Sequence, residues 1–317
     1  MGRNVLPRPQ LSRPHRQKGR RFSDDDCALR PTLDRPDART SGGPVSAAGG
    51  GGVIDLHCHM LPGIDDGAPD LETSLAMARV AVADGIRVTA CTPHIMPGVY
   101  ENTGPGIRAA IVALQASLDA AQIPLKLVQG ADVHITPGLV KGLREGQIAA
   151  LNGTRYFLFE PSHHVAPPRL EETVFDVMSA GYLPLVTHPE RLTWIESHYE
   201  TMGRLVRAGA WMQITCGSVT GRFGRRPKYW AERMLDEGLV HILATDAHNL
   251  RNRSPLMAEA RDAVAERLGE QAAIDMVLTR PQGVLDDAIP DSLPPLAGTA
   301  PVRPERRGFF SRIFSNA

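Results

Sequence analysis

The sequence has 317 residues, is 42% hydrophobic and carries no formal net charge at pH 7, so it can bury a large core as one domain or two. Without a long basic face in the predicted core it lacks an electrostatic footprint for nucleic acid, and no apolar run is long enough to form a transmembrane segment or a secretory signal. Cys27, Cys58, Cys91 and Cys216 are widely spaced and form no Cys-x-x-Cys, which argues against a disulfide framework or a thiolate zinc site and fits a reducing cytoplasm.

Residues 1–52 are rich in Arg, Pro, Ser and Gly and end in Gly49-Gly-Gly-Gly52, the composition of a disordered segment. The folded pattern starts abruptly at Val53. A second reading is therefore translation from Val53, which the mass of the native N-terminus distinguishes from the first.

The first strand-like run, Val53-Ile-Asp-Leu-His-Cys-His59, sets His57 and His59 on one face, about 6.6 Å apart. A helix follows with Asp70 as N-cap and Glu72 near its positive end; Leu71, Leu75, Ala78 and Val82 form its apolar stripe, and Gly85 ends it. The next run closes on Ala90-Cys-Thr-Pro-His94, and a second helical stripe is written at Ile107, Ile111, Leu114 and Leu118. Further runs end on Gln129-Gly-Ala-Asp132, Phe157-Leu-Phe-Glu160, Leu185-Val-Thr-His188, Gln213-Ile-Thr-Cys-Gly-Ser218 and Leu243-Ala-Thr-Asp-Ala-His248. Gly85, Gly181, Gly209 and Gly238 each stand where a helix stops and a strand begins.

Strands alternating with helices predict a parallel sheet, and seven polar strand ends predict an α/β fold built as a distorted seven-stranded (β/α) barrel, with its site at the C-terminal rim of the strands. An open doubly wound sheet would gather its ligands at one switch point instead. The expected domain spans residues 53–290, and residues 291–317 form a flexible tail. In that tail Phe309, Phe310, Ile313 and Phe314 share one helical face beside basic residues, which reads either as a weak membrane-surface or partner-docking segment or as a disordered tail with stray aromatics. Vesicle co-sedimentation with and without residues 301–317 separates the two.

Imidazoles and carboxylates without a thiolate cluster suit manganese, iron or zinc in a hydrolytic centre. Asp66, Asp132, Glu160 and Asp246 crowded at one rim would repel unless two or three divalent cations offset them. Blander readings stand beside this one. Asp65-Asp66-Gly67 reads also as a turn, Thr92-Pro-His94 as a strand end, and His134, His163, His164, His198 and His241 as structural or surface residues. Of these, His163 and His164 follow Glu160 closely enough to line the pocket. A rival chemistry is the Cys-x5-Arg loop at Cys216-Gly-Ser-Val-Thr-Gly-Arg222, in which a thiolate attacks phosphotyrosine.

Asp55-Leu-His-Cys-His59, Leu61-Pro-Gly-Ile-Asp-Asp-Gly67, Thr92-Pro-His94, His188-Pro-Glu-Arg191 and Asp246-Ala-His-Asn-Leu250 together resemble the bacterial capsular-polysaccharide tyrosine phosphatases of the polymerase and histidinol phosphatase superfamily. The resemblance runs from Val53 to about Pro290. It implies a manganese-dependent site of two or three ions, with iron, cobalt or zinc as substitutes, that hydrolyses phosphotyrosine on a membrane tyrosine autokinase controlling capsular or exopolysaccharide synthesis. The metal ligands it implies are His57, His59, Asp66, His94, Asp132, Glu160, His188, Asp246 and His248. Arg191 and Arg253 match arginines that hold the phosphate. The chain departs from the pattern at Asp132, where glutamate is usual; the shorter arm loses about 1.5 Å of reach and leaves bridging of two metals there open. Two alternatives remain, a small-molecule phosphoesterase of the same superfamily and a non-catalytic metal-binding regulatory module.

Overall fold

A computed structural model describes residues 52–298. The segment expected to be disordered before Val53 and the aromatic face at Phe309 to Phe314 lie outside the described residues. In chain order the first half forms β1 (Val53–Cys58), α1 (Leu71–Ala83), β2 (Ile86–Cys91), β3 (His94–Ile95), α2 (Gly104–Ala120), β4 (Lys126–Gln129), β5 (Asp132–His134) and α3 (Leu139–Arg144). The second half forms β6 (Tyr156–Glu160), α4 (Leu170–Ser179), β7 (Leu183–Thr187), α5 (Ile195–Ala208), β8 (Trp211–Thr215), α6 (Cys216–Val219), α7 (Arg225–Asp236), β9 (Ile242–Ala244), α8 (Ala258–Leu268), α9 (Glu270–Ile274) and α10 (Arg280–Leu285).

Every ladder between these strands is parallel, as alternating strands and helices require. The strands do not form one closed seven-stranded sheet. They lie in two sheets, ordered β1-β2-β4 and β3-β5-β6-β7-β8-β9. Two of the expected runs are cut in the middle. Pro93, which has no N–H to give a ladder, separates β2 from β3, and its carbonyl accepts from Asp132 N at 3.2 Å. Gly130 separates β4 from β5 where the chain packs too tightly for a side chain: a Cβ there would lie 2.8 Å from both Leu151 and Thr92. At the end of β1, Cys58 makes an isolated parallel bridge to Ala247, and Asp246 N donates to His57 O at 2.8 Å.

Two apolar clusters divide the faces of the strands. Ile54, Leu56, Val88, Ala90, Val128, Tyr156, Leu158, Leu185, Trp211 and Ile242 form the inner one, together with Val284 and Leu285 of α10. The outer one joins Phe157, Phe159, Val186, Met212, Ile214 and Leu243 to the helices. Each such large side chain contributes roughly 1.5–3 kcal/mol when buried. β6 shows the alternation plainly: Tyr156 and Leu158 face inward, Phe157 and Phe159 outward, so Glu160 falls on the inner face above Leu158.

β1 breaks this rule once, and the site depends on the break. Strict alternation from Ile54 and Leu56 would turn His57 outward, but an irregularity in the ladder between Asp55 and Cys58 places Cys58 in the outer cluster. A slip of one residue reverses the faces. His57 and His59 thereby join the inner side, above the apolar layer.

The helices follow the expected signals with one shift of phase. Asp70 caps α1 by accepting from Thr73 N at 2.8 Å. On α1 Ser74, Met77, Ala78 and Ala81 are buried, Leu75 and Val82 are partly buried against the same core, and Leu71 is exposed, so the most buried line runs one residue ahead of the predicted stripe. On α2, Ile107, Leu114 and Leu118 are buried and Ile111 is partly buried, as the stripe predicts. Gly209 ends α5 at φ 105°, a conformation that costs glycine little.

Candidate metal centre

Most donors sit at or just beyond strand C-termini, and His94 and Asp132 open the short strands that follow β2 and β4. His57 is in β1, His59 one residue past it, Asp66 in the loop to α1, His94 opens β3, Asp132 opens β5, Glu160 closes β6, His188 follows β7, and Asp246 and His248 follow β9. The loop bearing Asp66 is pressed onto β1: a Cβ on Gly67 would lie 2.1 Å from His59 O, so only glycine fits. His188 and Asp246 hold left-handed backbones at φ 35° and 50°. That conformation is costly for residues other than glycine and tends to cluster at functional sites.

Four groups of donor atoms converge, the atoms of each lying within 4.8 Å of one another: His57, His59 and Asp246; His57, Asp132 and His188; His59, Asp66, His94 and His248; and His94, His134 and Glu160. Across these groups the separations are His57 Nε2 to His59 Nε2 3.1 Å, His57 Nε2 to Asp246 Oδ1 3.3 Å and to Asp132 Oδ2 3.4 Å, and His94 Nε2 and His248 Nε2 to Asp66 Oδ1 3.4 and 3.3 Å. Ligands about 2.1 Å from a shared ion stand about 3.0–3.4 Å from each other, so the spacing suits common cations. Asp132 Oδ1, His94 Nδ1, His188 Nδ1 and His248 Nε2 illustrate how hydrogen bonds are distributed: Thr187 Oγ1 donates to the first at 3.4 Å, whereas the other three are buried and unpartnered. Asp132 Oδ2, Glu160 Oε2 and Asp246 Oδ1 are likewise buried and make no hydrogen bond. Leaving so many polar atoms unmatched in a protein interior is expensive. Nitrogen and oxygen donors with these unmet contacts fit divalent ions of the manganese, iron and zinc series. The short arm of Asp132 still brings Oδ2 to 3.4, 3.6 and 3.8 Å from His57, His94 and His188.

Electrostatics point the same way. Burial works against a charge on His57, yet Asp132 and Asp246 outweigh it and raise its pKa to about 9. His94 is likewise raised against burial, to about 10, by Glu160 and Asp132. Burial and the neighbouring His248 instead lower His59 to about 3. Burial and the charge of Asp132 work against ionisation of Glu160, yet the imidazoles of His134 and His94 beside it pull its pKa to about 2. Asp132 and Asp246 are both held well below the usual carboxylate range, against burial, with His57 as the leading stabilising charge. The carboxylates are thus kept ionised, and the site draws in positive charge.

Arg191 and Arg253 stand at the mouth. Both donate to Asp246 Oδ2, Arg253 at 2.6 Å, leaving Asp246 Oδ1 toward the imidazoles. Arg191 also lies over the Phe223 ring at 5.0 Å. The rival cysteine is differently placed: Cys216 is 1% exposed, and burial drives its thiol pKa well above the ordinary value. A nucleophilic cysteine needs the opposite environment.

Several neighbours were not singled out by sequence. Gln213 Oε1 accepts from His57 Nδ1 at 2.9 Å and Asp65 Oδ2 from His59 Nδ1 at 2.8 Å. Glu190 Oε1 accepts from Thr215 N at 3.0 Å and Ser218 Oγ at 2.8 Å, bracing the β8 turn. His134, read as structural or surface, joins Glu160 instead. His163 lies beside the His188 ring at 5.8 Å, whereas His241 is stacked on Trp211 at 4.9 Å, in the core. A polar residue inside an apolar strand was the available signal for Gln213, and the two-residue spacing from Asp132 was the signal for His134.

The family described as capsular polysaccharide synthesis, CpsB/CapC, matches residues 53–286. Tyrosine-protein phosphatase YwqE of Bacillus subtilis is 38% identical over 220 residues, covering 69% of this chain and 86% of that protein. Tyrosine-protein phosphatase CpsB of Streptococcus pneumoniae is 27% identical over 242 residues, covering 75% and 100%. Among solved structures, one from a study of YwqE from B. subtilis and CpsB from S. pneumoniae, described as unique metal-dependent tyrosine phosphatases, superposes with TM-score 0.73 at 34% identity, covering 79% of this chain and all of that one. With a match over most of its length and relatives of this similarity, the chain belongs to the CpsB/CapC capsular polysaccharide synthesis family.

Proposed function

We propose that this chain is a metal-dependent protein-tyrosine phosphatase, a phosphoric monoester hydrolase acting in capsular or exopolysaccharide synthesis. The observation that carries the reading is the convergence of six imidazole and carboxylate-bearing strand ends on unpartnered donor atoms, in a chain whose relatives are named tyrosine-protein phosphatases. The ligands are His57, His59, Asp66, His94, Asp132, Glu160, His188, Asp246 and His248, and manganese is the expected ion. The functional domain spans residues 53–290, and the ligands come from the strand ends of both its sheets.

When bound, the cations acidify a water for attack on phosphorus and offset phosphate charge. The protein's own groups do the rest. Arg191 and Arg253 present guanidinium N–H donors to the phosphate oxygens, a geometry suited to bidentate hydrogen bonds. Asp246 holds both arginines through Oδ2, so they are oriented before substrate arrives and lose little freedom on binding. Gln213 and Asp65 fix which nitrogen of His57 and His59 faces inward. The leaving phenolate has a pKa near 10, so it departs with less acid assistance than an alkoxide.

Among the described residues no helix is long and apolar enough to cross a membrane. Cys58, Cys91 and Cys216 are free and buried, which supports a cytoplasmic location facing the tail of a membrane tyrosine autokinase. Turnover of a phosphotyrosine peptide from such a tail, against matched phosphoserine and small phosphate-ester controls, tests the substrate class. Preference for phosphotyrosine is expected. Equal or greater turnover of the controls would contradict it.

A further inference from the structure

His134 Nε2 lies 2.5 Å from Glu160 Oε2, and His94 Nδ1 lies 3.2 Å from the same oxygen. The three atoms form a compact donor group. They are brought together by the ladders, which pair His94 with Asp132 and His134 with Glu160. Neither Glu160 Oε2 nor His94 Nδ1 makes a hydrogen bond, although both are buried. His134 is 19% exposed, more than the imidazoles of His57, His59, His188 and His248, which are buried.

His94 imposes a choice. Its Nε2 lies 3.4 Å from Asp66 Oδ1, and Asp66 is also 3.3 Å from His248 Nε2. A neutral imidazole has one lone pair to give, because its other nitrogen carries the proton. His94 therefore serves either the Asp66 and His248 group or the Glu160 and His134 group.

Resting on the metal-dependent reading above, we infer that His94 Nδ1, His134 Nε2 and Glu160 Oε2 form a further, weaker divalent-cation position that fills only at excess metal. Filling it withdraws His94 from Asp66 and engages Glu160, so excess cation inhibits. Its occupancy requires His94 to leave Asp66, so it holds a cation less tightly than the inner groups.

The test is equilibrium dialysis of the full chain against rising free Mn2+, with bound metal counted by elemental analysis, for the parent protein and for His134→Gln and His134→Tyr. The expected result is the same number of tight ions in all three, one extra weak ion in the parent, and at least about 10-fold weaker binding of that ion in both variants. Inhibition of turnover at excess Mn2+ disappears with it. An extra ion of unchanged affinity in the variants overturns the inference, and so does loss of a tight ion, which would place His134 in the inner set. If the parent holds no tight ion, the metal-dependent reading itself fails, and that outcome is separate from either of the others.

Discussion

The Nε2 atoms of His57 and His59 face each other at 3.1 Å while their Nδ1 atoms are taken by Gln213 Oε1 and Asp65 Oδ2 at 2.9 and 2.8 Å. Each acceptor requires the proton on Nδ1, which leaves two lone pairs pointing at one another. Only a cation between them, a proton or a metal ion, makes that arrangement favourable. Asp246 Oδ1, at 3.3 and 3.5 Å from the two nitrogens, completes the group.

Asp65→Asn tests this relationship. An amide donating to His59 Nδ1 would move the ring proton to Nε2 and remove the lone pair from the site. Metal affinity is expected to fall about 10–100-fold, the usual effect of losing such an orienting partner, as read by metal titration with a competing chelator. Unchanged affinity would mean that Asp65 serves only to brace the backbone at Gly67 N and His94 N.

Arg191→Lys and Arg253→Lys separate phosphate binding from metal support. Lysine keeps the charge and loses the planar fork. Losing one charge-assisted contact to the transferred group is expected to lower kcat/KM by about 100-fold, with the count of tightly bound ions unchanged. A lost ion in either variant would show that the arginine serves chiefly to hold Asp246.

His241 gives a prediction about stability that is independent of the metal site. Its Nδ1 accepts from Met212 N at 3.1 Å, which requires an unprotonated nitrogen. Burial, reinforced by the charge of Arg280, lowers its pKa to about 3. The unfolded chain takes up this proton near the ordinary histidine value of about 6.5 and the folded one does not, so stability falls as pH drops from there toward 3. Urea unfolding across that range should show a shallower acid loss for His241→Phe than for the parent protein. Parallel curves would contradict the assignment.

Much of the site was legible because its chemistry repeats locally: an imidazole or carboxylate closes run after run, at Glu160, His188 and Asp246 as at His57. What the sequence hid was geometry decided by tertiary packing. The slip between Asp55 and Cys58, which turns His57 to the inner face, leaves no mark on composition. Pro93 was visible as a residue but not as the point where one sheet gives way to another. Of the stripe on α1, Leu75, Ala78 and Val82 pack on the core beside Met77 and Ala81, and only Leu71 is exposed. His134 was passed over because a histidine in a strand has bland explanations until Glu160 is seen beside it.

The central claim is that cations held by nitrogen and oxygen donors, and not a cysteine thiolate, drive phosphate-ester hydrolysis. The most direct measurement is p-nitrophenyl phosphate turnover after chelation and after return of Mn2+, for the parent protein, Cys216→Ser and His59→Ala. Activity should vanish with chelation and return with Mn2+; Cys216→Ser should keep most of it and His59→Ala almost none. Full activity in chelator together with an inactive Cys216→Ser would contradict the account.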